Sequence, residues 1–450
     1  MLIFDKGELI GPFGLAVCFV VSLSLNPYLN NRKLMQRRHF LRSTLIGAGA
    51  ALAGSSARAT AFAPDLADHT GIKIKKVTFY NPPNYKPSRL AQAKGVVVVE
   101  CDNGLKGVGE GGTPDLVENL APWLIDQDPI NTEHIWQLMF RGLFYPGGRE
   151  LQHAMGALDI ALWDIKGKLL NQPIYNLLGG RVRDYIYCYA TGYPWKGSWK
   201  DTARACVEEG YKAYRIHARS RRDELSVPWD VDEEVRRIYK TCEEIEEGVR
   251  GIGEWAIDFH TRFENPHAIR LADLIEPLQP IFVEDLIRSE NQNVYKYLRQ
   301  QVKVPIAIGE HFGVRWDFNR LVEEDLMDYN RATLPNTGGI TEFKKIMAMC
   351  ETHYIGVIPH FTGPIATIAL THCLAAYTGF AMMELTNSGR RPPSYLNSDA
   401  LDFREGKLYP RNASGLGIEF DPTRCEKMIE ITEGRSAAVL KRPDGSYTNW

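Results

Sequence analysis

Apolar and polar positions change rhythm twice along this chain. From Ile72 to about Gly104 the pattern is that of strands. Lys94-Gly95-Val96-Val97-Val98-Val99-Glu100-Cys101 leads into Asp102-Asn103-Gly104 and then Leu105–Glu110, which predicts a hairpin. Helical spacing takes over in Gln152–Leu170, where Met155, Leu158, Ile160, Ala161, Trp163 and Ile165 give a wide buried face. Residues 72–183 therefore read as an α+β unit. After Arg183 short β-rich runs alternate with segments of helix composition. The runs are Tyr185–Ala190, Ala213–Ala218, Trp255–His260, Pro280–Glu284, Pro305–Glu310, Met327–Ala332, Ile355–His360 and Ala381–Leu385. Asp232–Glu247 and Thr341–Thr352 exemplify the helices between them. Eight strands with seven intervening helices predict an α/β fold with a closed parallel barrel over residues 184–396. An open doubly wound sheet is the alternative, but no Gly-x-Gly-x-x-Gly follows the first strand. The tail, residues 397–450, is rich in Gly, Pro and Asp and is expected to pack back on the first unit.

Residues 1–63 stand outside this pattern. Arg37-Arg38-His39-Phe40-Leu41-Arg42 precedes a mild apolar run from Thr44 to Gly54, and small-residue sites such as Ala57-Arg58-Ala59 follow. That order resembles a twin-arginine export signal, which predicts removal near residue 60 and delivery to the periplasm. The earlier run, Leu9–Leu25, is broken by Gly11, Pro12 and Gly14 and makes a poor membrane span. Residues 1–34 read either as an upstream extension outside the true start, with Met35 in the usual place for one, or as a genuine anchor.

Composition changes little in this picture. With 44% hydrophobic and 24% charged residues the chain is an ordinary globular protein rather than a disordered one. A net charge of −2 provides no broad basic field for nucleic acid. The eight cysteines include no Cys-x-x-Cys, so they are expected as core thiols rather than a zinc or redox motif.

The chemistry is expected at the carboxyl ends of the barrel strands. Read in order, those ends give Arg215 and His217, Asp258 and His260, Glu284, Glu310 and His311, Thr333, His360, and Glu384. Helix caps account for one or two polar residues at such positions, but not for a whole ring. Asp258, Glu284 and Glu310 are 26 and 26 residues apart, about one β/α unit each, so successive strands deliver one carboxylate each to the same rim. Three converging carboxylates repel one another unless a dication sits among them, and oxygen-only ligation points to Mg²⁺, one per subunit. Arg215 and His217, like Asp258 and His260, are two apart on one strand and share a side.

With these residues in place, the chain resembles the mandelate racemase/muconate lactonizing branch of the enolase superfamily. The resemblance spans residues 72 to about 425. Its most specific text is Ala157-Leu158-Asp159-Ile160-Ala161-Leu162-Trp163-Asp164-Ile165-Lys166-Gly167-Lys168, with Pro173, Leu177-Leu178-Gly179-Gly180 and Gly338-Gly339-Ile340-Thr341-Glu342. It implies a (β/α)₇β modified TIM barrel under an N-terminal α+β capping domain. It also implies Mg²⁺ bridging a substrate carboxylate, a base that removes the α-proton, and stabilisation of the enediolate. Asp258-Phe259-His260 and Arg315-Trp316-Asp317-Phe318 look like the galactonate and mannonate dehydratases, and Glu284-Asp285 leans towards the mannonate side. In those enzymes the histidine matching His260 protonates the departing 3-hydroxyl, and the product is a 2-keto-3-deoxy sugar acid.

The departures concern the base. Arg215-Ile216-His217 stands where racemases carry Lys-x-Lys, and Thr333 stands where many members have the aspartate that orients the histidine matching His360. Mannonate dehydratases use an arginine matching Arg215 with a tyrosine on the next loop, yet residues 216–238 contain no tyrosine. His217 is therefore the expected base, with Arg215 as a clamp on the substrate carboxylate and His360 as the competing base. Glu384, His311 and Arg315 are expected to bind substrate. The resulting expectation is a Mg²⁺-dependent acid-sugar dehydratase acting on a small-molecule sugar acid, as a homo-oligomer. An epimerase and a catalytically weak sugar-acid binder are the alternatives.

Overall fold

The computed structural model describes residues 70–448 apart from 84, 86–93, 146 and 218–228. The expected N-terminal extension and twin-arginine-type signal fall outside the described residues. Strands β1 (Ile74–Asn81), β2 (Val96–Cys101) and β3 (Lys106–Glu110) form an antiparallel sheet, with β2 and β3 joined by the Asp102–Gly104 turn. The valine run of β2 serves two cores. Val97 and Val99 enter the core of this unit, whereas Val96 joins the core of the barrel, because alternate residues face opposite sides. Helices α1 (Pro114–Leu120), α2 (Thr132–Arg141), α3 (Gly148–Leu169) and α4 (Ile174–Leu177) follow. A Cβ on Gly107 or Gly109 would lie 2.0 or 1.9 Å from the carbonyl oxygens of Ala161 and Ala157, so α3 rests directly on β3.

The second unit alternates without exception. Its elements are β4 (Ile186–Thr191), α5 (Trp199–Glu208), β5 (Ala213–His217), α6 (Val231–Val249), β6 (Glu254–Asp258), α7 (Asn265–Ile275), β7 (Val283–Glu284) and α8 (Val294–Gln301). They continue with β8 (Ile306–Ile308), α9 (Arg315–Glu323), β9 (Tyr329–Asn330), α10 (Ile340–Thr352), β10 (Gly356–Val357), α11 (Pro364–Ala376) and β11 (Met382–Thr386). Strands β4 to β10 pair in chain order, all parallel, and β11 pairs parallel with β4. The remaining seam between β10 and β11 is a single parallel bridge, Val357 to Ala381.

Several strands are shorter than the apolar runs suggest. The run Pro280–Glu284 pairs only over Val283–Glu284, and Ile355–His360 only over Gly356–Val357. Pro280 has no N–H to give a ladder, and beyond Val357 the Ile358 N–H makes one further bond to the Asn330 carbonyl before the chain enters its loop. The tail divides. A hairpin of β12 (Asp402–Arg404) and β13 (Lys407–Tyr409) adds antiparallel to β4, and β14 (Glu426–Ile431) then pairs with β1 of the cap.

Candidate active site

The barrel interior is layered. Tyr189, Ala213, Ala256, Phe282, Ala307, Ile358 and Met382 form a buried cluster across it, with Tyr329 against its edge. Two residues further along these strands come Thr191, Arg215, Asp258, Glu284, His360, Glu384 and Arg331. Period two thus lifts a charged layer directly above an apolar plug.

Two guanidiniums organise that layer. Arg215 is 2% exposed. It donates from Nε to Thr191 Oγ1 (3.0 Å), from Nη1 to Asp258 Oδ2 (2.9 Å) and Glu284 Oε2 (2.6 Å), and from Nη2 to Glu384 Oε1 (2.8 Å). Arg331, wholly buried, donates to Glu284 Oε1 (2.7 Å), Glu384 Oε2 (2.5 Å), the Ile358 carbonyl (2.7 Å) and the Tyr189 hydroxyl. Arg215, Glu284, Arg331 and Glu384 therefore alternate in a closed ring of charge. Burial by itself would raise the Glu384 carboxyl, but the two guanidiniums hold it well below the usual carboxylate range.

This placement corrects three expectations. Arg215 and Glu384 are both about 2% exposed and bonded to each other, so neither faces substrate as a clamp or ligand. Arg315 is also committed elsewhere. It pairs with Glu342 and lies over the Trp316 ring at 3.9 Å. Among the expected substrate-binding residues, His311 remains at the mouth with 35% of its side chain exposed.

The rim above the ring is acidic and carries the histidines. His217 Nδ1 lies 3.0 Å from Asp258 Oδ2. A carboxylate only accepts, so Nδ1–H donates and Nε2 keeps its lone pair. The His260 backbone N–H donates to Asp258 Oδ1 (2.6 Å), and the His260 ring stands 5.5 Å from that of His217. Arg262 donates to His260 Nδ1 (3.3 Å), which leaves the ring proton on Nε2. Burial, with help from His217 and Arg262, lowers the His260 pKa despite Asp258 and Glu310. His260, Thr261 and Asp285 take left-handed backbone at φ 54°, 57° and 42°. Such conformations cost about 1–2 kcal/mol each and persist where neighbours fix them. Here the Thr261 N–H bonds to the Asp285 carbonyl (2.9 Å), and Asp258 holds His260.

Glu310 lies 3.4 Å from His360 Nε2 and 3.9 Å from His311 Nε2. His360 thus has an acidic neighbour after all, supplied by Glu310 rather than position 333. Thr333 Oγ1 and His360 Nδ1 are buried without a hydrogen-bond partner. His311 Nε2 sits 3.2 Å from Asp285 Oδ2, which raises the His311 pKa.

The ligand atoms of Asp258, Glu284 and Asp285 lie within 4.8 Å of one another, as do those of Asp285, Glu310 and His311. Asp285 therefore links the two near strand ends of the expected triad to Glu310. Burial pushes the Asp285 carboxyl up to about 7, and its Oδ2 lacks an aligned hydrogen bond. Asp258, Asp285 and Glu310 add three carboxylates to the balanced ring of two arginines and two glutamates. Excess buried negative charge, oxygen donors and an unsatisfied carboxylate oxygen together fit a small hard dication. Sequence reading missed Arg331, Tyr189, Thr191 and Asp285. The alternation Tyr329, Arg331 and the adjacent acids Glu284-Asp285 were the available signals.

Residues 74–179 match the mandelate racemase/muconate lactonizing enzyme N-terminal domain, and residues 198–424 match the enolase C-terminal domain-like family. The chain belongs to the mandelate racemase/muconate lactonizing enzyme family of the enolase superfamily. A D-galactonate dehydratase of Pectobacterium atrosepticum is 32% identical over 401 residues, covering 84% of this chain and all of the relative. An enolase from Pantoea ananatis, solved with bound D-gluconate and Mg, superposes with TM-score 0.69 at 27% identity over 84% of this chain and all of that one. An enolase from Agrobacterium radiobacter with bound sodium and L-malate gives TM-score 0.68 at 27% identity, over 83% and 99%. The family's capping domain and barrel correspond to the two units described above. Among the described residues no helix is long and apolar enough to cross a membrane.

Proposed function

We propose that this protein is a Mg²⁺-dependent sugar-acid dehydratase, a hydro-lyase. The observation that carries the proposal is the pairing of an Asp258-held His217 with a proton-bearing His260, side by side over a cluster of uncompensated carboxylates. Asp258, Glu284 and Glu310, with Asp285 alongside, would hold the dication, which supplies the charge that acidifies the proton α to a carboxylate. His217 Nε2 takes that α-proton. Asp258 fixes the ring's tautomer and stabilises the imidazolium that forms, as a carboxylate does for a histidine base. His260, once it has taken a proton from solvent and become an imidazolium, gives its Nε2 proton to the 3-hydroxyl, which leaves as water, and returns to the neutral ring with Nδ1 facing Arg262. The enol that remains tautomerises to a 2-keto-3-deoxy sugar acid. With the two rings 5.5 Å apart, proton and hydroxyl leave from one face of the substrate. Arg215 and Arg331 stay below, positioning Glu284. The relatives' names support the sugar-acid class: galactonate dehydratases by sequence, and a gluconate-binding enolase by structure.

The test is incubation of the purified full chain with Mg²⁺ and a panel of acid sugars that includes D-galactonate and D-gluconate, followed by assay of 2-keto acid. Turnover lost on chelation and restored by Mg²⁺ is expected. A panel that binds without turnover would replace the dehydratase with a sugar-acid binder.

A further inference from the structure

Among the described residues, Arg149 is an exposed cation with no acid to neutralise. Arg149 lies in the first turn of α3, on the cap, and is exposed. Among the described residues it makes no ion pair or hydrogen bond, whereas Arg315 is spent on Glu342 and the Trp316 ring. Its place over the mouth follows from Gln152, one turn further along the same face of α3. Gln152 Oε1 lies 1.9 Å from where a Cβ on Gly313 would be, so this face of α3 presses on the loop that carries Glu310 and His311. That Oε1 is buried and has no hydrogen-bond partner, an acceptor waiting for a donor at the cap–barrel boundary.

A sugar acid whose reacting carboxylate lies in the acidic cluster cannot extend downwards, because the arginine–glutamate ring and the apolar plug close the barrel. Its far end must rise towards the cap. We propose that Arg149 receives a second carboxylate there, so that the preferred substrate is a sugar acid with a carboxylate at both ends. A guanidinium matches that group with two parallel hydrogen bonds, and a terminal hydroxyl offers it much less. The inference rests on the dehydratase reading for its account of which substrate end is bound by the cluster.

The experiment compares galactarate, a diacid, with galactonate, its monoacid counterpart, on the full chain with Mg²⁺. The ratio of their kcat/KM values is read in the native protein, Arg149→Met and Arg149→Lys. Because the readout is a ratio, a loss of folded protein cancels. The diacid is expected to be preferred, with the ratio falling at least tenfold in Arg149→Met and recovering in part in Arg149→Lys. A ratio unchanged by Arg149→Met would overturn the inference while leaving dehydration standing. If neither acid is turned over, calorimetric affinities replace kcat/KM. Diacid binding weakened selectively by Arg149→Met would then support the inference and remove the dehydratase, and absence of binding by either acid would overturn both.

Discussion

The barrel mouth and the seam between cap and barrel both bury acids almost completely, and they do so for opposite ends. At the seam the partners are backbone amides. Asp159 on α3 accepts from the Thr341 N–H (2.9 Å) and hydroxyl (2.6 Å) at the start of α10, and Glu110 accepts from the Ala366 N–H (2.9 Å) in the first turn of α11. Asp164 accepts from the Val108 and Leu416 N–H groups and from Lys168. A carboxylate at a helix N-terminus satisfies orphan donors and fastens one element to another. At the mouth the partners are guanidiniums and imidazoles, and three carboxylates exceed what those guanidiniums neutralise. Burial of an acid therefore does not mark a site. What satisfies it does. It also accounts for the family's most specific text: Asp159 and Trp163 fasten α3 to α10 of the barrel, while Asp164, braced by Lys168, ties α3 to β3 and to the tail at Leu416.

The sharpest way to break the contrast is at the mouth. His217→Ala is expected to lower turnover by about a thousandfold, in line with loss of a general base, and to end deuterium wash-in at the α-carbon. His360→Ala should keep wash-in. Loss of wash-in only in the His360 variant would reverse the assignment of the base. His260→Asn should stop elimination yet retain exchange, because it removes the proton donor alone; equal loss of both would make it a positioning residue.

Next in size is the charge ring beneath. Arg331→Met leaves Glu284 and Glu384 each short of a buried cation, and such uncompensated charge costs about 3–5 kcal/mol. Urea denaturation of the metal-free protein measures it. A loss under 1 kcal/mol would mean that the glutamates are neutral or solvated, and the ring would not be a unit.

These residues also show what could be read from sequence. The alternation of apolar runs, and the period-two pairs Arg215/His217 and Asp258/His260, were legible because they are local. Arg331 was not, since an arginine just past a strand end reads as surface until Glu284 and Glu384 arrive from strands 47 and 53 residues away. The same long-range partners turned Arg215 and Glu384 from substrate ligands into structure. Asp285 escaped because a left-handed residue at its position swings it to the site, which strand alternation cannot show. Arg315 was misplaced for want of Glu342, 27 residues on.

A smaller effect tests the seam. Asp159→Ala removes acceptors for the Thr341 N–H and hydroxyl, at about 1–3 kcal/mol for donors left buried. Turnover per folded molecule should stay within about twofold, because no mouth residue touches Asp159. A fall in kcat matching those of the mouth variants would erase the distinction between fastening and chemistry.

The smallest effect comes from a buried base on the cap side of the comparison. His153 is fully buried, and its Nδ1 accepts from the Gly112 N–H at 2.8 Å. Burial pushes its pKa down to about 3, against about 6.5 in an unfolded chain. Below about pH 6.5 the unfolded state takes up a proton that the folded state refuses, so stability present above that pH is lost as pH falls, by about 1.4 kcal/mol per unit. Asp159 and Glu110, raised by burial to about 7, act with the opposite sign, their contribution being full below about pH 4 and lost as pH rises. Comparing native protein with His153→Gln cancels those acids and isolates the histidine. Glutamine still offers Gly112 an acceptor, so the variant should lose about 1 kcal/mol at pH 7 and decline less steeply between pH 6.5 and 5 in urea denaturation. Parallel curves over that window would show that His153 takes up its proton without unfolding, and that the cap opens locally to let it.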